Sequence, residues 1–248
     1  GVISTKKSLQ VIEQRNLVNT YGFDKKGRLN KQYRSFNGSN SKDTTFITYL
    51  YNDKNSIVTQ RTSDSYGFFS NNYEYNSNSK KTSKTYCRDE NIATNKNNFV
   101  LGKQHTIVKE TFSYEKTDST LSKSTYNSHG KKYQTITYFY NEHDLLYKEV
   151  KKLIINKKKS ITKYEYDDKG FVNKKTLFPH FNKTDNTSTE YKYDSLGNLE
   201  FIDEYRNDQH ITHKEIIYNK STSLMKALLI QDIETNYIKI IKYSYNYW

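Results

Sequence analysis

The sequence predicts an all-β chain: a repetitive antiparallel β-meander of about nine hairpin units, forming one twisted, curled sheet or half-shell. Three observations predict it. The residue vocabulary is that of strands. An aromatic signature recurs at a nearly constant interval. Each signature opens onto the chemistry of a tight turn.

The vocabulary comes first. Only 33% of the 248 residues are apolar, and that share already counts 24 tyrosines, so a deep aliphatic core is not expected. Tyr, Thr, Ile, Phe and Val are common, while Pro occurs once; this is a strand composition. Low hydrophobicity with high charge is also the mark of disorder. The aromatic content of 15% argues against that reading. The net charge of +13 comes mostly from lysine. It suits a nucleic acid, an anionic glycan or an acidic partner. AT-rich codon usage produces the same bias, and lysine on exposed strands blocks edge-to-edge association. The single cysteine, Cys87, excludes an internal disulfide framework. No apolar run reaches the roughly 18 residues of a membrane-spanning helix. Residues Gly1 to Lys7 do not read as a signal peptide.

The signature is aromatic-x-aromatic-Asp/Asn. Its copies are Tyr21-x-Phe23-Asp24, Tyr49-x-Tyr51-Asn52, Tyr73-x-Tyr75-Asn76 and Phe112-x-Tyr114-Glu115. Then follow Tyr138-x-Tyr140-Asn141, Tyr164-x-Tyr166-Asp167, Tyr191-x-Tyr193-Asp194, Ile216-x-Tyr218-Asn219 and Tyr243-x-Tyr245-Asn246. The intervals between second aromatics run from 24 to 28 residues, except the 39 from Tyr75 to Tyr114. That excess predicts an inserted loop over 88–98. The whole chain, 1–248, reads as a single repeat domain, regular from about residue 20.

The turns justify the strands between them. The best copies read Asp24-x-x-Gly27-x-Leu29, Asp167-x-x-Gly170-x-Val172 and Asp194-x-x-Gly197-x-Leu199. An Asp or Asn at the head of a turn accepts hydrogen bonds from backbone N–H groups further along. The glycine takes the position needing positive φ. Asn55, Asp118 and Asp144 fill the glycine slot in degenerate copies, as the residues that best tolerate it. Asn127-x-x-Gly130 repeats the chemistry midway between two signatures, so it predicts a turn at the opposite end of a strand.

Each unit is therefore two strands and two turns. Tyrosines at i and i+2 point to one face, and signature strands recur at every second place in the sheet. The tyrosines are expected to form two ladders with a step of about 9.5 Å, ring faces buried and hydroxyls reaching water or a partner. The last strand, Ile238 to Trp248, is expected to use Tyr243, Tyr245 and Trp248 to cap the sheet edge.

These residues resemble the YD repeat of the Rhs family. Tyr166 to Val172 and Tyr193 to Leu199 match Tyr-Asp-x-x-Gly-x-aliphatic best, and Phe23 to Leu29 matches with Phe for Tyr. Weaker copies extend the likeness over about residues 20–248. The resemblance implies a long, twisted β-meander. It also implies an exported protein, in some relatives a lipoprotein of the Bacteroidetes type. It carries no catalytic residues onto this sequence.

The expected function is non-enzymatic binding at the cell surface, outer membrane-anchored or periplasmic, with a lipid anchor as one means of attachment. The partner is a protein segment or a glycan laid along the tyrosine ladder. Tyr138, Tyr140, Tyr164, Tyr166, Tyr191 and Tyr193 are the binding candidates, because their repeats are the most regular. The alternative is an intracellular nucleic-acid or toxin-partner binder acting through the Lys148–Lys163 hairpin. There Lys151, Lys152, Lys157, Lys158 and Lys159 crowd an Asn156-Lys157 turn as an anion-binding tip. A secreted hydrolase with carboxylates gathered from several repeats is the third reading. No cofactor is expected. His210-x-x-His213 is the closest histidine pair, and on a regular strand a spacing of three sends the two to opposite faces. A shared metal would need a turn or bulge there, so no metal is expected. His105 and His180 have no partner nearby in sequence.

Overall fold

The computed structural model describes the backbone of residues 2–6, 9–15, 17–38, 41–94, 99–179 and 185–246, and the side chains of 19–35, 44–94, 99–179 and 185–246. Among the described residues every regular element is a strand. The first strands are β1 (Val2–Lys6), β2 (Leu9–Arg15), β3 (Leu17–Phe23), β4 (Leu29–Gly38) and β5 (Ser41–Tyr51). Next come β6 (Ile57–Asp64), β7 (Gly67–Tyr75), β8 (Lys81–Asn91), β9 (Leu101–Lys116) and β10 (Thr120–Tyr126). Then follow β11 (Lys132–Tyr140), β12 (Leu146–Leu153), β13 (Lys159–Tyr166), β14 (Val172–Phe178) and β15 (Thr187–Tyr193). The chain closes with β16 (Leu199–Arg206), β17 (Gln209–Tyr218), β18 (Met225–Asp232) and β19 (Tyr237–Lys242). The all-β antiparallel meander expected from the sequence is what the structure shows.

Two compact units contain these strands. Unit 1 is Gly1–Arg15, Glu115–Ser122 and Thr135–Trp248; unit 2 is Asn16–Tyr114 and Lys123–Gln134. In unit 2 the strands pair antiparallel in chain order from β3 to β9. In unit 1 they do so from β12 to β19. There β19 also pairs with β1, and β1 with β2. The last strand is thus shorter than expected and has no free edge. Val2 to Lys6 occupy its outer side, with Ile3 opposite Ile240. Tyr243 and Tyr245 do not cap an edge; they follow β19, and the Tyr245 hydroxyl donates to the Met225 carbonyl at 2.8 Å. Trp248 lies outside the described residues.

The excess length after Tyr75 falls in a long hairpin. Residues 88–91 of the expected loop are strand, 92–94 are not, and β8 and β9 run to 11 and 16 residues. Residues 95–98 are outside the described set. A buried carboxylate anchors this hairpin. Asp89 accepts from Arg61 Nε at 2.8 Å, Ser70 Oγ at 2.8 Å and Gln104 Nε2 at 2.7 Å, and the Phe99 ring covers the Arg61 guanidinium at 4.7 Å. Every oxygen of this buried charge is therefore partnered, as burial requires.

The scarcity of aliphatics has the expected consequence. Among the described residues, the buried apolar ones are Cys87, Val150, Ile216 and Ala227, while the buried polar ones include Ser70, Ser83, Asp89, Ser188 and Asp203. Cohesion rests on ladder hydrogen bonds and half-buried rings rather than on a central apolar mass.

Candidate functional site

The turns place the signature aromatics. The Asp24 carboxylate accepts from the amides of Lys26 and Arg28, both at 2.9 Å, and Gly27 N–H donates to the Asp24 carbonyl at 2.9 Å. Asn52, Asn141, Asp167 and Asp194 repeat this pattern at +2 and +4. The position before the last turn residue takes positive φ: Gly27 at 73°, Gly170 at 82°, Gly197 at 84°, Asn55 at 60° and Asp144 at 58°. Asn127 and Gly130 form the expected extra turn, with Gly130 at 71°. Asp118 does not take the left-handed conformation. After Glu115 the chain turns instead between Thr117 and Thr120, whose backbone and hydroxyl groups bond each other. Glu115 sits one methylene further from the backbone than Asp or Asn, which removes the side-chain acceptor that organises the other turns. Ser79, at 58°, fills the slot after Asn76 and was not singled out from sequence.

The turns headed by Asp24, Asn52, Asn76, Asp167 and Asp194 are each followed by a one-residue bulge, and the register climbs. Tyr49 is level with Gln60 and Asn71, so it lies two residues short of Tyr73. Tyr73 is level with Lys84 and Glu110, two short of Phe112. In unit 1, Tyr164 is level with Lys175 and Thr189, two short of Tyr191. The ladders are therefore oblique. A step of about 9.5 Å across and about 6.8 Å along the strand separates successive tyrosines by about 12 Å, more than the 9.5 Å of a straight ladder.

This stagger divides the two tyrosines of each signature between two tasks. The second ring reaches the start of the preceding return strand, where the bulge has interrupted the ladder. Its hydroxyl donates to that backbone carbonyl: Tyr51 to Leu29 at 2.7 Å, Tyr75 to Ile57 at 2.8 Å and Tyr114 to Lys81 at 2.9 Å in unit 2. In unit 1, Tyr166 bonds Leu146 at 2.7 Å, Tyr193 bonds Val172 at 2.9 Å and Tyr218 bonds Leu199 at 2.9 Å. These hydroxyls, expected to reach water or a partner, tie one repeat to the next. The first aromatic lies on the same face as the second.

In unit 2 the first aromatics meet lysines. A cavity of about 340 Å³ is lined by Tyr73, Lys81, Lys84, Glu110, Phe112 and Lys123, with Tyr133 beside them. Lys81 Nζ lies 3.8 Å from the Tyr73 ring centroid and Lys123 Nζ 4.0 Å from that of Phe112. Burial, then the charges of Lys123 and Lys84, hold the Lys81 ammonium below its ordinary pKa. Burial lowers Lys123 as well, against the opposing pull of Glu110. Glu110 is the only acid in the lining, and the Tyr133 hydroxyl donates to it. Three ammonium groups against one carboxylate make a site short of negative charge, walled by ring faces.

The six tyrosines singled out from sequence belong to unit 1 and are not among the residues lining this cavity. Tyr166 and Tyr193 are second-position residues with engaged hydroxyls, and Tyr193 stacks on Phe171 at 4.9 Å. Tyr164 and Tyr191 are first-position residues; Lys175 Nζ stands 5.9 Å from the Tyr164 ring. Tyr138 and Tyr140 lie on β11, where the Tyr140 amide donates to Ser119 at 3.0 Å. The cross-strand lysines that complete the cavity lie on return strands that carry no signature.

The lysine hairpin forms as expected, β12 and β13 around a turn in which Asn156 accepts from Lys158 and Lys157 takes φ 55°. Lys151 faces Ser160, whereas Lys152 faces Lys159 and Lys148 faces Lys163 directly. Lys157 and Lys158 are exposed at the tip.

A second cluster occupies the other face of unit 1. Glu190 is level with Asp203 while Tyr191 is level with Ile202, so Asp203 points away from the signature face. His213 lies opposite Asp203, and a register shift at Glu204/Tyr205 puts His210 opposite Tyr205. The bulge at Ile211 thus supplies the condition a regular strand lacked, and both imidazoles reach one carboxylate. Asp203 Oδ1 lies 2.7 Å from His213 Nδ1 and 3.0 Å from His210 Nε2.

No family model matches this chain, and no curated protein matches its sequence. Solved structures give low-identity likenesses. A porin-like protein from Bacteroides uniformis is 14% identical with a TM-score of 0.46, over 98% of this chain and 96% of that one. A porin-like protein from Bacteroides vulgatus is 9% identical with a TM-score of 0.38, over 99% and 98%. The Tc holotoxin pore of Photorhabdus luminescens is 14% identical with a TM-score of 0.38, over 93% of this chain. This chain spans 12% of the length of that toxin chain. At such identities the likeness concerns the fold alone.

Proposed function

We propose that the protein is a non-enzymatic binding protein, exported or surface-anchored, whose signature face takes an acidic glycan. The observation that carries this reading is the cavity of unit 2. Lys81, Lys84 and Lys123 line it together with Tyr73, Phe112 and Tyr133. Sugar rings pack on aromatic faces through their C–H edges, and carboxylate or sulfate groups satisfy crowded ammonium groups. The likeness of the signature to YD repeats supports an exported protein. No helix among the described residues is long and apolar enough to cross a membrane, and a lipid anchor is the proposed means of attachment.

The test is calorimetric titration of the chain with a sulfated tetrasaccharide and with its unsulfated counterpart. The expected result is binding of the sulfated sugar alone, weakened roughly tenfold or more in the Lys81→Gln/Lys123→Gln variant. Equal affinity for both sugars, or an unchanged affinity in the variant, contradicts the proposal.

One observation favours a second reading. Lysines placed directly opposite each other on a sheet repel, and Lys148–Lys163 and Lys152–Lys159 do so on neighbouring strands. A polyanion such as a nucleic acid would relieve both pairs. In that case Lys152→Gln/Lys159→Gln, and not the cavity variant, carries the loss, and affinity falls steeply with salt.

A further inference from the structure

Asp203, His210 and His213 take no part in the signature face, yet they converge more closely than any other donors of their kind among the described residues. We propose that they bind one divalent transition-metal ion of the Zn²⁺, Co²⁺ or Ni²⁺ class. The donor set is two imidazole nitrogens and one carboxylate oxygen, all within 4.8 Å of one another. Imidazole with a single carboxylate selects such borderline ions over Mg²⁺ or Ca²⁺, which take oxygen ligands. Three protein ligands leave further coordination positions for water or an incoming anionic group.

The two gaps between the carboxylate oxygen and the imidazoles are close to what an ion requires. Metal–nitrogen and metal–oxygen bonds of about 2.0–2.1 Å hold tetrahedral ligand atoms about 3.3 Å apart. The carboxylate oxygen now sits 2.7 Å and 3.0 Å from the two ring nitrogens. An ion entering between them widens these gaps by a few tenths of an ångström and replaces the hydrogen bonds. The rings are already fixed. Phe201 stacks on His213 at 5.7 Å, and Tyr205 stacks on His210 at 4.9 Å. Such outer support is what keeps ligands oriented in metal sites. The Asp203 side chain is 9% exposed while His210 and His213 are 34% and 33% exposed, so the carboxylate forms the floor and the imidazoles face the entrance. The Thr212 carbonyl, 3.1 Å from His210 Nε2, stands at the same rim. One cation is close: Lys192 Nζ is 4.0 Å from the other carboxylate oxygen. Its side chain is 67% exposed and free to turn outward.

The experiment uses the full chain without a polyhistidine tag, stripped of metal and titrated with Co²⁺, followed by Zn²⁺. The expected result is saturable uptake of one Co²⁺ per chain, with visible d–d absorption that Zn²⁺ abolishes. His210→Ala and His213→Ala should each weaken uptake roughly tenfold or more, while His129→Ala, in an exposed turn, leaves it unchanged. Where one of the two variants fails to fold by circular dichroism, the other decides. Absence of saturable uptake, or uptake indifferent to the folded variant, overturns the proposal. A structural Asp–His hydrogen-bond cluster would give that second result.

Discussion

At the scale of the residue, the left-handed slot after each Asp or Asn is the plainest constraint in the sequence. Gly170 and Gly197 both take it, but their surroundings differ. A Cβ on Gly170 would meet nothing within 4 Å, whereas on Gly197 it would come 3.0 Å from the Phe171 ring. Gly170→Ala should therefore cost about 1 kcal/mol from backbone strain alone, and Gly197→Ala more, because Phe171 must also leave its stack on Tyr193. Chemical denaturation of the two variants checks the order; equal losses would show that the Phe171 stack adjusts freely.

Tyr133 gives a residue-scale prediction of another kind. Burial foremost, and then its bond to the Glu110 carboxylate and that group's charge, push the Tyr133 phenol up to about 12. An unfolded tyrosine ionises near pH 10. Between those values the native chain keeps a proton that the unfolded chain has released. The contribution is thus complete below about pH 10 and is lost as pH rises through about 12. Denaturant midpoints followed into the alkaline range should show the stability advantage of wild type over Tyr133→Phe shrinking as pH rises. A constant difference would contradict the assignment.

At the scale of the element, the hairpins were legible because their turn chemistry is local. Asp24, Asn52, Asp167 and Asp194 announce turns without reference to the rest of the chain, and Asn55 and Asp144 could be placed by their tolerance of positive φ. Asp118 could not, because its turn is decided by the missing acceptor at Glu115 three residues earlier. The length of the β8–β9 hairpin was not legible, for a non-local reason. Its residues are polar, and what makes them a strand is the buried Asp89, whose partners Arg61, Ser70 and Gln104 come from three different strands. Asp89→Ala should cost about 3–5 kcal/mol by leaving Arg61 without its buried partner. The midpoint of urea unfolding measures it, and a loss below about 1 kcal/mol would show that this network does not anchor the hairpin.

At the scale of the whole molecule, a chain with so few aliphatics holds its strands by repetition. Every second-position tyrosine whose hydroxyl bonds the repeat before it substitutes a directed contact for an apolar core. The sequence could point to the aromatic face but not to this division of labour. The two-residue climb per hairpin comes from bulges and is invisible in periodicity alone. The same holds for the sites. Lys81, Lys84 and Lys123 come together only through cross-strand register. His210 and His213 share a face only because Ile211 bulges. Sequence spacing alone assigned those histidines to opposite faces.

The central claim is that first-position aromatics bind and second-position tyrosines hold the sheet. Its most direct test is a parallel measurement of sulfated-tetrasaccharide affinity and unfolding free energy in Tyr73→Ala and Tyr75→Phe. Tyr73→Ala should lose affinity roughly tenfold or more. Tyr75→Phe should keep its affinity and lose about 1 kcal/mol of stability, the cost of leaving the Ile57 carbonyl unpaired. The reverse pattern, with binding lost in Tyr75→Phe and kept in Tyr73→Ala, would contradict the account.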